Sequence, residues 1–276
     1  MAPREEVVRS RSNPLFKRLR ALKERGVGPT GGLCLLEGPK LVEEALAAGV
    51  TITEAAVTGR GEDRPGGAAV VAALRARGVP VRRLDERLLG VLSDAETSQG
   101  LLALAHRPPS DEGRLFEGTP LILVAVGVQN PGNLGGLVRT AEASGATGAF
   151  LVEGCADPFS WKALRGSMGS AFRLPLARAA RAGTLLDRLD ARGVNVFATA
   201  ADGETRYDEA DLAAPVALVF GGEGAGLADE VARRATARLR IPLASPVESL
   251  NVGVAAGLVL FEAARQRGFA ASGEGR

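Results

Sequence analysis

The chain has 276 residues, 46% hydrophobic and 24% charged, with a formal net charge of +2, an ordinary globular composition that allows one large domain or two average ones. No apolar run reaches the roughly 18–20 residues that span a bilayer, and the opening MAPREEVVRS lacks the apolar core of a secretory signal, so a cytoplasmic protein without membrane contact is expected. Cys34 and Cys155 lie in no CxxC pair and read as small buried thiols, the lone His106 reads as structural, and no metal site is expected.

Residues 12–25, SNPLFKRLRALKER, read as a short basic amphipathic helix with Leu15, Leu19 and Leu22 on one side. A strand over 33–36 follows, then a turn at Gly38 and Pro39 and a helix ending at Gly49. A strand at 54–58 leads into a Gly/Pro-rich loop over 59–67, a helix over 68–77 and a strand over 79–84. A helix over 86–92 and a strand over 101–105 complete a small α/β domain, residues 1–106. The polar, Pro- and Gly-rich segment 107–119 is the expected linker.

The second domain spans 120–268. Strands are expected at 121–126, 149–152, 194–198, 217–220 and 238–241, and helices at 134–144, 161–166, 183–191, 229–234 and 251–266. Short, nearly all-apolar strands alternating with helices point to a parallel sheet covered on both faces. The last helix is apolar almost all round through Val252, Val254, Leu258 and Val259, which suits a buried core or a dimer interface. Residues 269–276 read as a flexible tail.

Charge is unevenly spread. Residues 1–28 hold eight Lys or Arg against Glu5, Glu6 and Glu24, and residues 161–192 hold seven against Asp187 and Asp190. A bound polyanion and a solvated helix face account for such segments equally well.

Three glycine-marked turns each follow a strand of the second domain: NPGNLGGLVRT within 127–145, GGEGAGL at 221–227, and IPLASPVESLN at 241–251. In an open parallel sheet, ligands bind beyond the carboxyl ends of the strands, so the three turns can converge on one pocket. GGEGAGL does not supply GxGxxG, and no GxxxxGK occurs, so neither nucleotide-binding fingerprint is present. Asn133 and Arg139 bracket the first helix turn, and Ser249 and Asn251 stand at the start of the last helix.

The series NPGNLGGLVRTAEASG, LVFGGEGAGL and IPLASPVESLNVGVAAGLVLFEA resembles the three motifs of the SpoU (TrmH-type) RNA ribose 2′-O-methyltransferases of the SPOUT superfamily, in order and spacing. SRSNPLFKRLR and LCLLEGPKLVEEAL resemble, more loosely, the N-terminal RNA substrate-binding module that accompanies this family. The resemblance implies a parallel-sheet α/β domain with a deep trefoil knot, an exception to the rule against knotted chains. It also implies S-adenosylmethionine as cofactor and a homodimer formed through the C-terminal domain. Carried over by position, Gly221, Ile241 and Leu250 would hold the cofactor by backbone contacts, with Thr199 as a further wall. Asn133 and Arg139 match the first motif, Glu223 the second, and Ser249 and Asn251 the third, and these five are the catalytic candidates.

Methyl transfer from a sulfonium to a ribose hydroxyl needs in-line positioning and loss of the hydroxyl proton, but no metal. A guanidinium stays protonated, with a pKa above about 12, so clamping a phosphate is the physical alternative to a role for Arg139 as base. Lys162, Arg165, Ser167 and Arg173, in SWKALRGSMGSAFR, are expected near the crevice against RNA backbone, the alternative being a capped surface helix. Lys17, Arg18 and Arg20 are the corresponding candidates in the first domain. The expected activity is ribose 2′-O-methylation of a structured RNA. A separate recognition module favours ribosomal RNA. Transfer RNA, an antibiotic-resistance methyltransferase acting on ribosomal RNA, and a non-catalytic RNA-binding protein of the same fold are the alternatives.

Overall fold

The computed structural model describes residues 7–25, 32–93, 98–222 and 229–269. The chain divides into two compact units: 1–109 with 157–172, and 110–156 with 173–276. The boundary falls inside the expected linker, and the segment expected between motifs of the second domain belongs to the first unit.

The first unit runs β1 (Val7–Val8), α1 (Pro14–Arg25), β2 (Leu33–Glu37), α2 (Pro39–Ala47), β3 (Ile52–Val57), α3 (Gly59–Asp63), α4 (Gly67–Ala76), β4 (Val81–Leu84), α5 (Glu86–Leu92) and β5 (Leu101–His106). Its sheet has the order β1-β4-β3-β5-β2, parallel except where β5 pairs antiparallel with β2 and β3. The predicted loop over 59–67 contains a helix, α3, because the Thr58 side chain caps it by accepting from the Gly61 N–H at 3.1 Å. The amphipathic reading of α1 holds, since Leu15, Leu19 and Leu22 are buried, and Phe16 joins them.

The second unit contributes β6 (Leu121–Val126), α6 (Pro131–Ala143) and β7 (Gly148–Val152) before the chain enters the first unit as α7 (Trp161–Ser167). The short α8 (Ser170–Arg173) reaches the unit boundary. The second unit continues with β8 (Leu176–Ala179), α9 (Ala182–Asp190), β9 (Asn195–Thr199), β10 (Thr205–Arg206), β11 (Val216–Gly221), α10 (Asp229–Arg234), β12 (Ala237–Arg240) and α11 (Val252–Gln266). Its seven strands pair in parallel in the order β10-β12-β9-β11-β6-β7-β8. β11 is fully buried except at its last residue, consistent with a strand covered on both faces.

Sequence reading missed β1, β8, β10 and α8. β8 is LARA, and alanine and arginine give too little strand propensity to mark an edge. The expected linker carries a 3₁₀ turn, Gly113–Phe116, whose Leu115 is fully buried in the second core and whose carbonyl accepts from the Thr147 hydroxyl at 2.7 Å. Of the expected tail only Phe269 lies within the described residues.

Two side chains tie distant pieces of each unit together. In the first, Trp161 is buried among α1 and α5 residues and its indole N–H donates to Glu37 at 2.7 Å. In the second, Arg267 at the end of α11 donates to the carbonyls of Leu212, Thr119, Pro120 and Ala214. Those four carbonyls flank β6 and β11, so one guanidinium satisfies the entry to two central strands.

Cys34 is buried in the first unit, and burial pushes its thiol up to about 12. Cys155 is half-buried and also raised by burial, against hydrogen bonds from the Val128 and Gly127 backbone. At pH 8 roughly 10⁻⁴ of Cys34 is thiolate when folded, whereas an unfolded thiol near 8.5 is about a quarter ionised. Because the folded pKa is the higher one, this group adds stability below the unfolded value and loses it as pH rises toward about 12. Alkylation of Cys34 at pH 8 is therefore expected to be at least about a hundredfold faster in denaturant than in native buffer, read by peptide mapping.

Candidate functional site

Because every strand of the second sheet runs parallel, the carboxyl ends of β9, β11 and β12 lie along one edge. A cavity of about 600 Å³ opens there. Thr199 lines it from the end of β9, Gly221 and Gly222 from β11, and Ile241 follows β12. Ser249 and Leu250 line it from the loop before α11, and Val252 from that helix's first turn.

Two close backbone approaches shape the site. The Gly222 N–H donates to the Val126 carbonyl at 2.8 Å, and a Cβ at Gly222 would lie 2.1 Å from the Gly127 oxygen. The end of β11 is thus pressed against the turn that follows β6, which only glycine permits. At Gly203 a Cβ would lie 2.7 Å from the Arg238 oxygen, so the turn after β9 packs directly on β12. Thr199 spends its hydroxyl on the Val219 carbonyl at 3.0 Å.

The lining is mixed in a useful way. Ile241, Leu250 and Val252 supply apolar wall, and two glycines bare the strand end. Asp202, Arg238 and Glu248 add charge, with Arg238 ion-paired to Asp202 at 3.1 Å and Glu204 at 3.0 Å. The Asp202 carboxylate, with help from Glu204, holds the Arg238 guanidinium above its usual range. A mainly apolar cavity of this size with a few polar groups suits a nucleoside-sized molecule, and S-adenosylmethionine fits that description.

Beside the cavity, α6 and α11 pack together. Asn130 caps α6 by accepting from the Gly132 and Asn133 N–H groups at 2.8 and 3.2 Å, with Pro131 at the first helical position. Asn251 caps α11 by accepting from the Gly253 N–H at 2.9 Å, and its Nδ2 donates to Asn133 Oδ1 at 3.4 Å. The first and third motifs therefore meet at two helix starts. Six residues at about 100° each put Arg139 roughly 120° around α6 from Asn133. Arg139 is exposed and makes no ion pair among the described residues. Glu223 lies outside the described residues. Ser249 is exposed while lining the cavity.

The RNA candidates scatter. Lys17 is exposed, Arg18 is ion-paired with Glu54, and Arg20 pairs with Glu24 at 2.7 Å. Lys162 and Arg165 are exposed on α7, within the first unit, and neither lines the cavity. Ser167 is a correction: it is fully buried and its hydroxyl donates to the Leu164 carbonyl at 3.1 Å, so it is spent inside the fold. Arg173 is held by Glu142 through two bonds of 2.6 and 2.9 Å. Sequence reading overlooked Asn130 and Gly222. The Asn-Pro start signal could have found the first; the second depends on a contact 95 residues away in sequence, between positions 222 and 127.

Residues 120–261 match the model of the SpoU rRNA Methylase family, and residues 13–103 match an MRM3-like substrate binding domain. The 23S rRNA (guanosine(2553)-2′-O)-methyltransferase RlmP of Bacillus subtilis is 34% identical over 89% of this chain and 93% of its own length. A crystal structure of an RNA 2′-O ribose methyltransferase superposes with a TM-score of 0.81 at 37% identity, covering 95% of this chain and 99% of that one. An AdoMet-bound rRNA methyltransferase from Sinorhizobium meliloti gives 0.80 at 35% identity, covering 94% and 97%.

Proposed function

This chain belongs to the SpoU rRNA Methylase family, and from that premise we propose how its residues divide the work of methylating a ribosomal RNA. It is an S-adenosylmethionine-dependent ribose 2′-O-methyltransferase. The cavity at the ends of β9, β11 and β12 is the observation that carries the assignment of roles. Gly221, Ile241 and Leu250 would hold S-adenosylmethionine there, with Thr199 as a wall. When bound, the cofactor supplies an electrophilic methyl group on a sulfonium.

The chain's own residues then have to place a ribose hydroxyl in line with that methyl group. Arg139 clamps substrate phosphate, as a permanently charged fork does best. Asn133 and Asn251, joined across two helix starts, orient the ribose, with Ser249 beside the cavity and Glu223 completing the second motif. β11 inserted between β6 and β9, with α11 returning to pack on α6, supports a trefoil knot in the second unit. A cytoplasmic location follows from the substrate.

A homodimer through the second unit is part of the reading. Val254, Leu258 and Phe261, spaced one helical stripe apart on α11, are 54%, 39% and 43% exposed. Phe261→Glu is expected to shift a dimer to a monomer by light scattering at micromolar concentration, with little change in the monomer's unfolding midpoint. A variant that still dimerises would sink this face. The function itself is tested by mapping ribose methylation on total RNA from a deletion strain beside wild type. One ribosomal site should lose its methyl group. Loss at a transfer RNA site, or at none, would overturn the substrate assignment.

A further inference from the structure

The first unit contains a second depression, of about 290 Å³, that the methyl-transfer chemistry does not use. Glu37, Lys40, Leu41 and Gln99 line one part of it, and Arg165 and Met168 the rest. The last two come from α7 and the residue after it, within the segment that the chain inserts between β7 and β8.

Three features set this depression apart from packing debris. Met168 has φ 48° and ψ 40°, a left-handed conformation that residues other than glycine, asparagine and aspartate seldom take. It closes α7 in that conformation, its N–H donating to the Leu164 carbonyl at 3.1 Å, and the turn leaves the side chain 41% exposed at the depression. Arg165 is exposed, its guanidinium lies over the Trp161 ring at 5.0 Å, and it has no ion pair among the described residues. Trp161 is itself immobilised by burial and by its bond to Glu37. The guanidinium therefore rests over a fixed ring and is open to solvent. Glu37 accepts from three donors, Trp161, Ser93 and Ser98, which fix its carboxylate beside the ring.

A space of this volume is too small for a duplex and large enough for one base with its sugar. RNA-reading proteins stack splayed-out bases on arginine planes and meet their edges with amide side chains. A methionine sulfur adds favourable contact with an aromatic ring.

We infer that this depression receives one unpaired nucleotide of the RNA substrate, its base stacked on the Arg165 guanidinium and against the Met168 thioether, its edge met by the Gln99 amide. The inference rests on the reading of the chain as an RNA methyltransferase. It makes the first unit a reader of an extruded base instead of a general binder of duplex backbone.

The test uses the full chain and a 23S ribosomal RNA transcript. Arg165→Lys keeps the charge and removes the plane. It should weaken RNA binding about tenfold in a filter assay, the range of one stacked base, while leaving the salt slope unchanged. Met168→Gly should weaken binding several-fold without lowering the unfolding midpoint, because glycine accepts the left-handed backbone. Both variants should bind S-adenosylmethionine with wild-type affinity by calorimetry. A transcript carrying 4-thiouridine should crosslink to the peptide containing Arg165 and Met168 from a nucleotide unpaired in the free RNA. The inference is overturned if both variants bind RNA within about twofold of wild type, or if crosslinks to this peptide come only from paired nucleotides. A wild-type chain that crosslinks there yet neither binds S-adenosylmethionine nor transfers a methyl group would instead sink the functional reading and leave the pocket standing.

Discussion

Arg139→Ala is expected to lower methyl transfer to ribosomal RNA by roughly 10²-fold, the scale of losing a contact that positions the reacting group. S-adenosylmethionine affinity should stay at the wild-type value, because Arg139 does not line the cavity. The unfolding midpoint should also hold, since the side chain is exposed and has no ion pair among the described residues to lose. Arg139→Lys separates two roles. A point charge without the planar fork should restore part of the rate if phosphate clamping is the role. Single-turnover kinetics with saturating cofactor is the measurement. Near-normal turnover of Arg139→Ala would remove this residue from the machinery.

Gly222→Ala is expected to damage both stability and cofactor binding. The added Cβ would lie 2.1 Å from the Gly127 oxygen and 2.8 Å from its carbon, and backbone cannot step aside as a flexible side-chain tip does. Forcing the two turns apart should cost about 1–3 kcal/mol, the range for overpacking a tight site. The same shift moves Gly221 and Gly222 within the cavity wall, so calorimetry should show S-adenosylmethionine binding at least about tenfold weaker. Gly136→Ala is the matched control. Its Cβ would meet nothing within 4 Å, and it sits inside α6. There alanine should stabilise by up to about 1 kcal/mol on helix propensity alone. Equal midpoints for the two variants would refute the close-approach argument.

Much of the second unit was legible because its signals are local. The strands at 121–126 and 216–221 are short, apolar and bounded by glycine turns, and only a strand covered on both faces needs such a run. The three motif turns follow from glycine, proline and asparagine chemistry at helix starts, which acts within three or four residues. The same holds for α1 and α5, where spacing of leucines alone places the buried side.

What failed locally failed for a common reason. LARA carries no marked preference, and becomes β8 only because β7 offers a free edge. The local pattern of SWKALRGSMGSAFR points to RNA backbone near the crevice or to a capped surface helix, yet Trp161 is captured by Glu37, 124 positions away, and Arg173 pairs with Glu142. Ser167 faces inward because it lies next to buried Leu164 on α7, and which side of the helix is buried depends on β2, not on α7.

The sequence by itself thus determined the family, the cofactor chemistry, the alternation of strands and helices, and which turns bear polar residues. These rest on short-range stereochemistry and on motif identity. Only the tertiary structure decided that β11 enters between β6 and β9, that Asn133 meets Asn251, and that segment 157–172 serves the first unit. Such pairings are chosen by burial and hydrogen-bond satisfaction between residues far apart in the chain, and no local pattern carries the name of a distant partner.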